Sequence, residues 1–265
     1  MWSSELGLVF RRRRTIVLLV LLAAVPVLAA VAIRVAGNGG GGGPAFVSDI
    51  THNGVFAALA GLTLVLTFPL PLAVAIVAGD TIAGEANLGT LRYLLARPTG
   101  RTRLLAAKFG TTIVFCVVAA LVVAAAGLVA GAILFPLGRV TTVSGFSISL
   151  TTGVLRAFEA AGIVGVSMIG LAAIGLFIST VTEVPVGAMA GTLGAFIAVQ
   201  IADSVPQLHT IHPELFLQHW SAFADLLRVP VGYGSIEADL LLQLCWAAVF
   251  AAAAWARFTT ADVLS

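Results

Sequence analysis

The chain has 265 residues, of which 60% are hydrophobic and only 10% are charged, and its mean hydropathy is +1.09. Soluble domains carry about 25% charged residues, so this composition excludes a soluble globular domain and indicates a membrane protein. The formal net charge is only +2, and no basic surface with interleaved aromatic residues occurs outside the loops, which argues against nucleic-acid binding.

Six apolar stretches are each long enough to cross a bilayer, whose hydrocarbon core needs roughly 20 apolar residues in a helix. Backbone polar groups cannot stay unpaired in lipid, so we expect all six to be helical. The sequence therefore predicts an all-α, polytopic integral membrane protein, with residues 1–265 forming a single transmembrane domain. The predicted spans are about Thr15–Ala36, Val55–Gly79, Gly110–Phe135, Ala157–Ser179, Val184–Ala202 and Ala238–Arg257.

Residues 1–14 combine apolar side chains with a cluster of arginines at Arg11, Arg12, Arg13 and Arg14. Such a segment is typical of an amphipathic helix that lies in the headgroup region, with its arginines on anionic lipid. We therefore predict an interfacial anchor helix over 1–14 that contacts membrane lipid. A simpler alternative, in which the basic cluster only fixes the topology, stays open.

Two prolines, Pro69 and Pro71, lie close together inside the second predicted span. Proline removes a backbone donor and clashes with the preceding helical turn, so helices kink or end there. We expect the second span to bend or break at this point.

A polar, basic segment over residues 80–108 separates the second and third spans and holds five of the fourteen Lys and Arg residues. The positive-inside rule places it in the cytoplasm, and an even number of spans then places both termini there too. Asp80 or Thr81 is predicted to start a short amphipathic helix that ends near Arg97, because Pro98 disfavours the helical conformation of its predecessor. An ordinary solvated loop, kept on the cytoplasmic side by its positive charge, fits the composition as well.

Residues 203–237 form the longest predicted extracellular loop, in which apolar patches between prolines indicate short helices that dip into the outer leaflet. His209 and His212 in this loop are weak candidates for a metal site, but their spacing matches no closed-site template, so we predict no metal. Glu159 lies one helical turn from Arg156 in the fourth span and is expected to pair with it.

The chain contains none of the motifs that would let it hydrolyse ATP by itself. A phosphate-binding loop needs a Gly-Lys-Ser/Thr sequence, and the only lysine, Lys108, stands between Ala107 and Phe109. No His-Glu-x-x-His or Gly-x-Ser-x-Gly motif occurs either. We therefore predict no catalytic residue and no cofactor in this chain, and any ATPase must be a separate polypeptide.

The basic segment contains a series of residues in a fixed order: Gly84-Glu85, Gly89-Thr90-Leu91, Leu94-Leu95, Pro98, Arg101 and Lys108. This series resembles the signature that follows the second span in permeases of the ABC transporter type-2 (ABC-2) family. The six-span plan, the basic amphipathic start and the long last outer loop are similar to that family over essentially the whole chain. Arg92 stands where the family commonly has an acidic residue.

This resemblance implies that the segment is a coupling helix, which inserts into a cleft on a separate ATPase subunit that binds ATP and Mg. The working unit would contain two permease copies and two ATPase copies in the plasma (inner) membrane of a prokaryote. Closure of the ATPases would then rock the spans. The resemblance assigns the coupling role to Glu85, Gly89, Thr90, Leu91, Arg92, Pro98 and Arg101.

The predicted function is therefore that of the permease subunit of an ATP-driven exporter. The lining available from spans two and five is mostly apolar, which suits a hydrophobic or amphipathic compound such as a drug, an antibiotic or a lipid-like molecule. Two alternatives stay open: an ATPase-independent secondary transporter or membrane scaffold, and metal-related export that uses the outer-loop histidines.

Overall fold

The computed structural model describes residues 2–36, 53–89, 100–138, 140–141, 147–228 and 230–260. Within these ranges, six helices are long and apolar enough to cross a membrane. The predicted all-α class with six spanning helices is therefore confirmed. The described residues also form one short antiparallel ribbon, in which the two-residue strand β1 (Val140–Thr141) pairs with the two-residue strand β2 (Ser147–Ile148).

Successive spans run in opposite directions, so the span ends lie at two opposite ends of the bundle. We call the end that holds Asp80 and Lys108 the charged end, and the end that holds residues 206–227 the loop end. The helices are α1 (Trp2–Arg11), α2 (Arg13–Ala36), α3 (Phe56–Thr67), α4 (Pro69–Asn87), α5 (Arg101–Leu134), α6 (Leu150–Ser167), α7 (Ile169–Val181), α8 (Pro185–Ser204) and α9 (Tyr233–Thr260).

The second span is broken at Phe68, which lies between α3 and α4 and has non-helical backbone angles. Pro69 is the first residue of α4, where its missing N–H would lack an intrahelical partner in any case. The expected break at the proline pair is thus confirmed. The two pieces pack on different neighbours: α3 lies mainly against α5, whereas α4 lies mainly against α7 and α8.

The close contact between α3 and α5 depends on small residues at the loop end. A Cβ atom added at Gly131 would lie 1.9 Å from the carbonyl oxygen of Gly54, and one at Gly127 would lie 2.6 Å from the Cα atom of Ala58. The two backbones therefore meet directly, as small residues allow between membrane helices.

The fourth span is also divided, at Met168 between α6 and α7. Helix α6 begins at Leu150, earlier than predicted, because Ser149 caps it by accepting a hydrogen bond from the Thr152 amide at 3.2 Å. The expected pairing of Glu159 with Arg156 is wrong, since it is absent from the ion pairs that the described residues form. Arg156 is half-buried against the protein, whereas Glu159 is exposed, so the two side chains diverge.

The polar connection between the second and third spans is shorter than the predicted 80–108 loop. Helix α4 continues through Asn87 and α5 begins at Arg101. The predicted helix start at Asp80 or Thr81 is wrong, because both residues lie inside α4 and the Asp80 carboxylate binds arginines instead of a helix terminus. Most of the predicted amphipathic helix falls in 90–99, outside the described residues.

At the loop end the chain forms short 3₁₀ helices, which confirms the expected short helices of this segment. The buried apolar residues of this segment include Phe216, in the turn before the last 3₁₀ helix, and Trp220, which stacks on Phe196 of α8 with ring centroids 5.9 Å apart. His212 lies 3.2 Å from the Val205 carbonyl, and in the described ranges no group of three His, Cys, Asp or Glu side chains is arranged to hold a metal ion. The 3₁₀ helices are Pro206–Leu208, His212–Glu214 and Trp220–Leu227.

Candidate functional site

Three carboxylates and three basic side chains meet at the charged end of the bundle. They come from α1, the α1–α2 junction, α2, α4 and α5, and they surround a small cavity of about 30 Å³. Positive and negative groups are equal in number, which offsets part of the cost of removing each charge from water. We call this set the charge cluster: Glu5, Arg12, Arg14, Asp80, Glu85 and Lys108.

Lys108 is the centre of one half of the charge cluster, and its side chain is only 5% exposed. Its ammonium nitrogen lies 2.5 Å from Oε1 of Glu85 on α4 and 3.4 Å from Oε2 of Glu5 on α1. A buried ammonium without partners would be very costly, and these two carboxylates supply them. Lys108 thereby joins α1, α4 and α5.

Asp80 is the centre of the other half. Arg12 donates a hydrogen bond to its Oδ2 atom at 2.6 Å, and Arg14 donates to the same oxygen. The predicted anchor arginines are therefore divided in two: Arg12 and Arg14 are half-buried against α4, whereas Arg11 and Arg13 are exposed. The sequence predicts lipid contact for all four, and the structure adds that Arg12 and Arg14 bind a carboxylate of the protein.

Ser179 of α7 holds the same turn of α4 through the backbone. Its hydroxyl donates to the Gly79 carbonyl at 2.7 Å and accepts from the amides of Ile82 and Ala83 at 3.0 and 2.9 Å. A hydroxyl inserted in this way bridges the helical hydrogen-bond ladder. The last two turns of α4 are therefore fixed by α7 as well as by the charge cluster.

Arg101 fixes the first turn of α5 to the last turn of α9. Its Nη1 atom donates to the carbonyls of Phe258 and Thr259 at 3.2 and 3.0 Å. The last carbonyls of a helix lack intrahelical partners and carry partial negative charge, so a guanidinium group stabilises them. The indole of Trp255 adds a 2.9 Å hydrogen bond to the Thr102 hydroxyl.

Residues 10–190 match the family model described as ABC-2 family transporter protein. The chain belongs to this family. A stretch of 67 residues is also 42% identical to the protein described as "Probable ABC transporter permease protein NosY" of Pseudomonas aeruginosa, and this covers 25% of the chain. The chain thus spans about a quarter of that relative, since the match covers 24% of its length.

In this ABC-2 family member, the residues predicted for coupling lie on both sides of segment 90–99 or within it. Thr90, Leu91, Arg92 and Pro98 lie outside the described residues. Gly89 has a φ of +69°, a left-handed conformation that suits glycine at the end of a helix.

Of the other predicted coupling residues, Glu85 is buried and directs its carboxylate at Lys108 inside the permease. Arg101 binds the end of α9. The side chains of Glu85 and Arg101 therefore attach the chain on either side of segment 90–99 to other helices of the bundle.

The charge cluster was not predicted as a unit from the sequence of this ABC-2 family member. A signal existed: Lys108 is flanked by apolar residues, and Glu5 is the only acid in residues 1–14. A charge that has no opposite charge nearby on its own helix must find one on another helix if it is buried. Which helix supplies it depends on packing.

A second buried polar group in this ABC-2 protein was also missed, at the break between α6 and α7. Gln243 of α9 accepts a hydrogen bond from the Gly170 amide at 3.2 Å and donates to the Phe216 carbonyl at 2.7 Å. It also donates to Asp239, which accepts a further hydrogen bond from Ser167. This polar network joins the broken span to α9 and to the segment at the loop end.

Because Gly84 has no side chain, the Asp80 carboxylate can lie beside it. A Cβ atom added at Gly84 would lie only 2.7 Å from Asp80 Oδ1. We expect Gly84→Ala to displace the carboxylate from Arg12 and Arg14 and to lower the thermal unfolding temperature of the purified protein. The matched control is Gly194→Ala in α8, where an added Cβ meets no atom within 4 Å. Both changes gain about 1 kcal/mol of helix propensity, so equal unfolding temperatures would contradict the prediction.

Proposed function

We propose that this ABC-2 family member is the permease subunit of an ATP-driven exporter. Two copies would work with two separate ATPase subunits, which bind ATP and Mg, in the plasma membrane of a prokaryote. The charged end and both termini would face the cytoplasm, and the ATPase would contact segment 90–99. The cargo would be a hydrophobic or amphipathic compound.

The observation that carries this proposal is the attachment of the chain on both sides of segment 90–99. Before it, α4 is held by Lys108, by Ser179 and by the two arginines on Asp80. After it, Arg101 holds the start of α5 to the end of α9. A displacement applied to the segment would therefore move α4, α5 and α9 as packed bodies, which is what mechanical coupling to a soluble motor needs.

The distribution of charge supports the proposed orientation. Arg11, Arg12, Arg13 and Arg14 lie at the charged end, together with Lys108. Basic residues near the ends of spans accumulate on the cytoplasmic side of membrane proteins. Labelling of a cysteine placed at Arg13 in intact cells would test this, since reagent that cannot cross the membrane should leave it unmodified.

The function is tested by Arg101→Ala in the reconstituted complex with its ATPase. We expect ATP-driven transport to fall by about tenfold, because two hydrogen bonds from a charged donor to α9 are lost. ATPase binding should persist, since the last turns of α4 remain held. Transport and ATP hydrolysis are measured on the same proteoliposomes.

The matched control is Arg103→Ala, because Arg103 is exposed on the same helix. It should transport like the wild type. Equal transport by the Arg101 and Arg103 variants would contradict the coupling role of the α5–α9 attachment. Cargo movement by the purified chain with no ATPase present would contradict the proposed function as a whole and favour a secondary transporter.

A further inference from the structure

A lateral groove opens between α6, the 3₁₀ helix Trp220–Leu227 and α9. Its volume is about 460 Å³, within the range of roughly 300–1,000 Å³ that is typical of small-molecule sites. It lies apart from the charge cluster and shares no lining residue with it. The lining residues are Glu159, Gly162, Ile163, Val166, Leu226, Tyr233, Ile236 and Leu240.

The groove is polar at one end and apolar at the other. Helices α6 and α9 both begin at the loop end, so Glu159 and Tyr233 lie nearer to that end than Val166 and Leu240 do. Seven residues of helix separate Glu159 from Val166, which corresponds to about 10 Å. This arrangement matches a ligand with a polar head near the membrane surface and an apolar tail directed toward the membrane interior.

The polar end of the groove carries the carboxylate of Glu159. Glu159 is exposed and takes part in none of the ion pairs among the described residues. Arg156, one turn away, is half-buried, and its Nη1 atom is buried without a hydrogen-bond partner. A carboxylate beside an apolar surface attracts a cation, and the neighbouring Tyr233 ring can add a cation–π contact.

Gly162 keeps the wall of the groove open. A Cβ atom added there would meet no atom within 4 Å, so the space beside α6 is unfilled. A larger side chain at this lining position is expected to occupy part of the groove. The position is therefore suited to blocking the groove by substitution.

We propose that this groove binds a cationic amphiphile, a molecule with an amine or quaternary ammonium head and a single hydrocarbon tail. The head lies at Glu159 and Tyr233, and the tail lies along Ile163, Val166 and Leu240. The ligand enters from the bilayer as a cargo of the transporter. The assignment as cargo rests on the proposed export function, whereas the binding site itself does not.

Binding is tested on the purified chain in nanodiscs of digalactosyldiacylglycerol, whose headgroup carries no charge. The probes are decyltrimethylammonium and decyl maltoside, which share a tail and differ in the charge of the head. Calorimetric titration against empty nanodiscs measures both affinities. We expect Glu159→Gln to weaken decyltrimethylammonium binding by about tenfold and to leave decyl maltoside binding unchanged, because a charge-assisted contact is lost.

Gly162→Leu should weaken the binding of both probes, because it fills the groove. Gly194→Leu in α8 is the matched control, since a Cβ atom added there also meets no atom within 4 Å, and it should leave both affinities unchanged. Equal affinity of decyltrimethylammonium for the wild type and the Glu159 variant would overturn the proposal. Equal effects of the two glycine variants would overturn it as well.

A third measurement separates a cargo from a resident lipid. In proteoliposomes with the ATPase, ATP should drive movement of decyltrimethylammonium, and Glu159→Gln should reduce it in parallel with the affinity. Binding without movement, or retention of an ethanolamine phospholipid that decyltrimethylammonium does not displace, would overturn the assignment as cargo. The Arg101 and Arg103 variants test the export function independently of the groove. A failure of the export proposal can therefore be distinguished from a failure of the binding proposal.

Discussion

Lys108→Met is expected to destabilise the protein by about 3–5 kcal/mol, because it leaves Glu5 and Glu85 buried without their cation. The methionine side chain nearly matches the lysine stem in volume, so the loss of charge is the main change. The free energy of unfolding of the purified protein, measured by denaturant titration, should fall by this amount. ATP-driven transport should be lost, since α1 and the end of α4 are no longer tied to α5.

Two further variants separate the effect of the lost charge on stability from the effect of altered packing. Arg103→Met on the same helix is the control, because Arg103 is exposed, and it should leave the unfolding free energy unchanged. Adding Glu85→Gln to Lys108→Met removes one of the stranded carboxylates and should restore part of the stability. An unfolding free energy of Lys108→Met within about 0.5 kcal/mol of the wild type, the range of ordinary surface substitutions, would refute the role of the charge cluster.

Gln243→Leu is expected to cost about 3 kcal/mol, because it leaves two backbone groups buried without partners. The Gly170 amide lies in the first turn of α7, where no intrahelical acceptor is available, and the Phe216 carbonyl loses the donor at 2.7 Å. Since Phe216 belongs to the segment at the loop end, hydrogen exchange over residues 206–227 should also become faster. Thermal unfolding and hydrogen-exchange mass spectrometry measure the two effects.

Gln200→Leu is the matched control for this prediction. Gln200 is exposed on α8 and donates only a long hydrogen bond of 3.4 Å to the Thr67 carbonyl. Its loss should change the unfolding temperature little. If the Gln200 and Gln243 variants unfold at the same temperature and exchange at the same rates, the polar network does not stabilise the loop end.

The six-span architecture could be predicted from the sequence because length and hydrophobicity alone decide which segments can reside in lipid. The break at Phe68 could be predicted for an equally local reason, since Pro69 and Pro71 restrict the backbone wherever they occur. The break at Met168 could not, because no proline marks it. At this break the Gly170 amide donates a hydrogen bond to Gln243, which lies on another helix.

The charge cluster shows why the candidate site was only partly predictable. Glu5 and Lys108 are separated by 103 positions in the sequence, and their pairing depends on how α1 packs on α5. Asp80 has the identity of a helix-capping residue, yet two arginines bind its carboxylate inside α4. Local rules describe what a residue can do beside its sequence neighbours, and they fail where a partner comes from a distant helix.

The interruptions at Phe68 and Met168 have a further consequence. The half-spans at the charged end, α4 and α7, pack on each other, and their continuations α3 and α6 both contact α5. At Phe68 the backbone angles are non-helical, whereas at Met168 a single turn residue with angles in the helical region separates α6 from α7. If an ATPase drives the charged end as proposed, a displacement of α4 and α7 need not be copied by α3 and α6, and one face of the membrane would stay sealed against ion leakage while the opposite face changes shape.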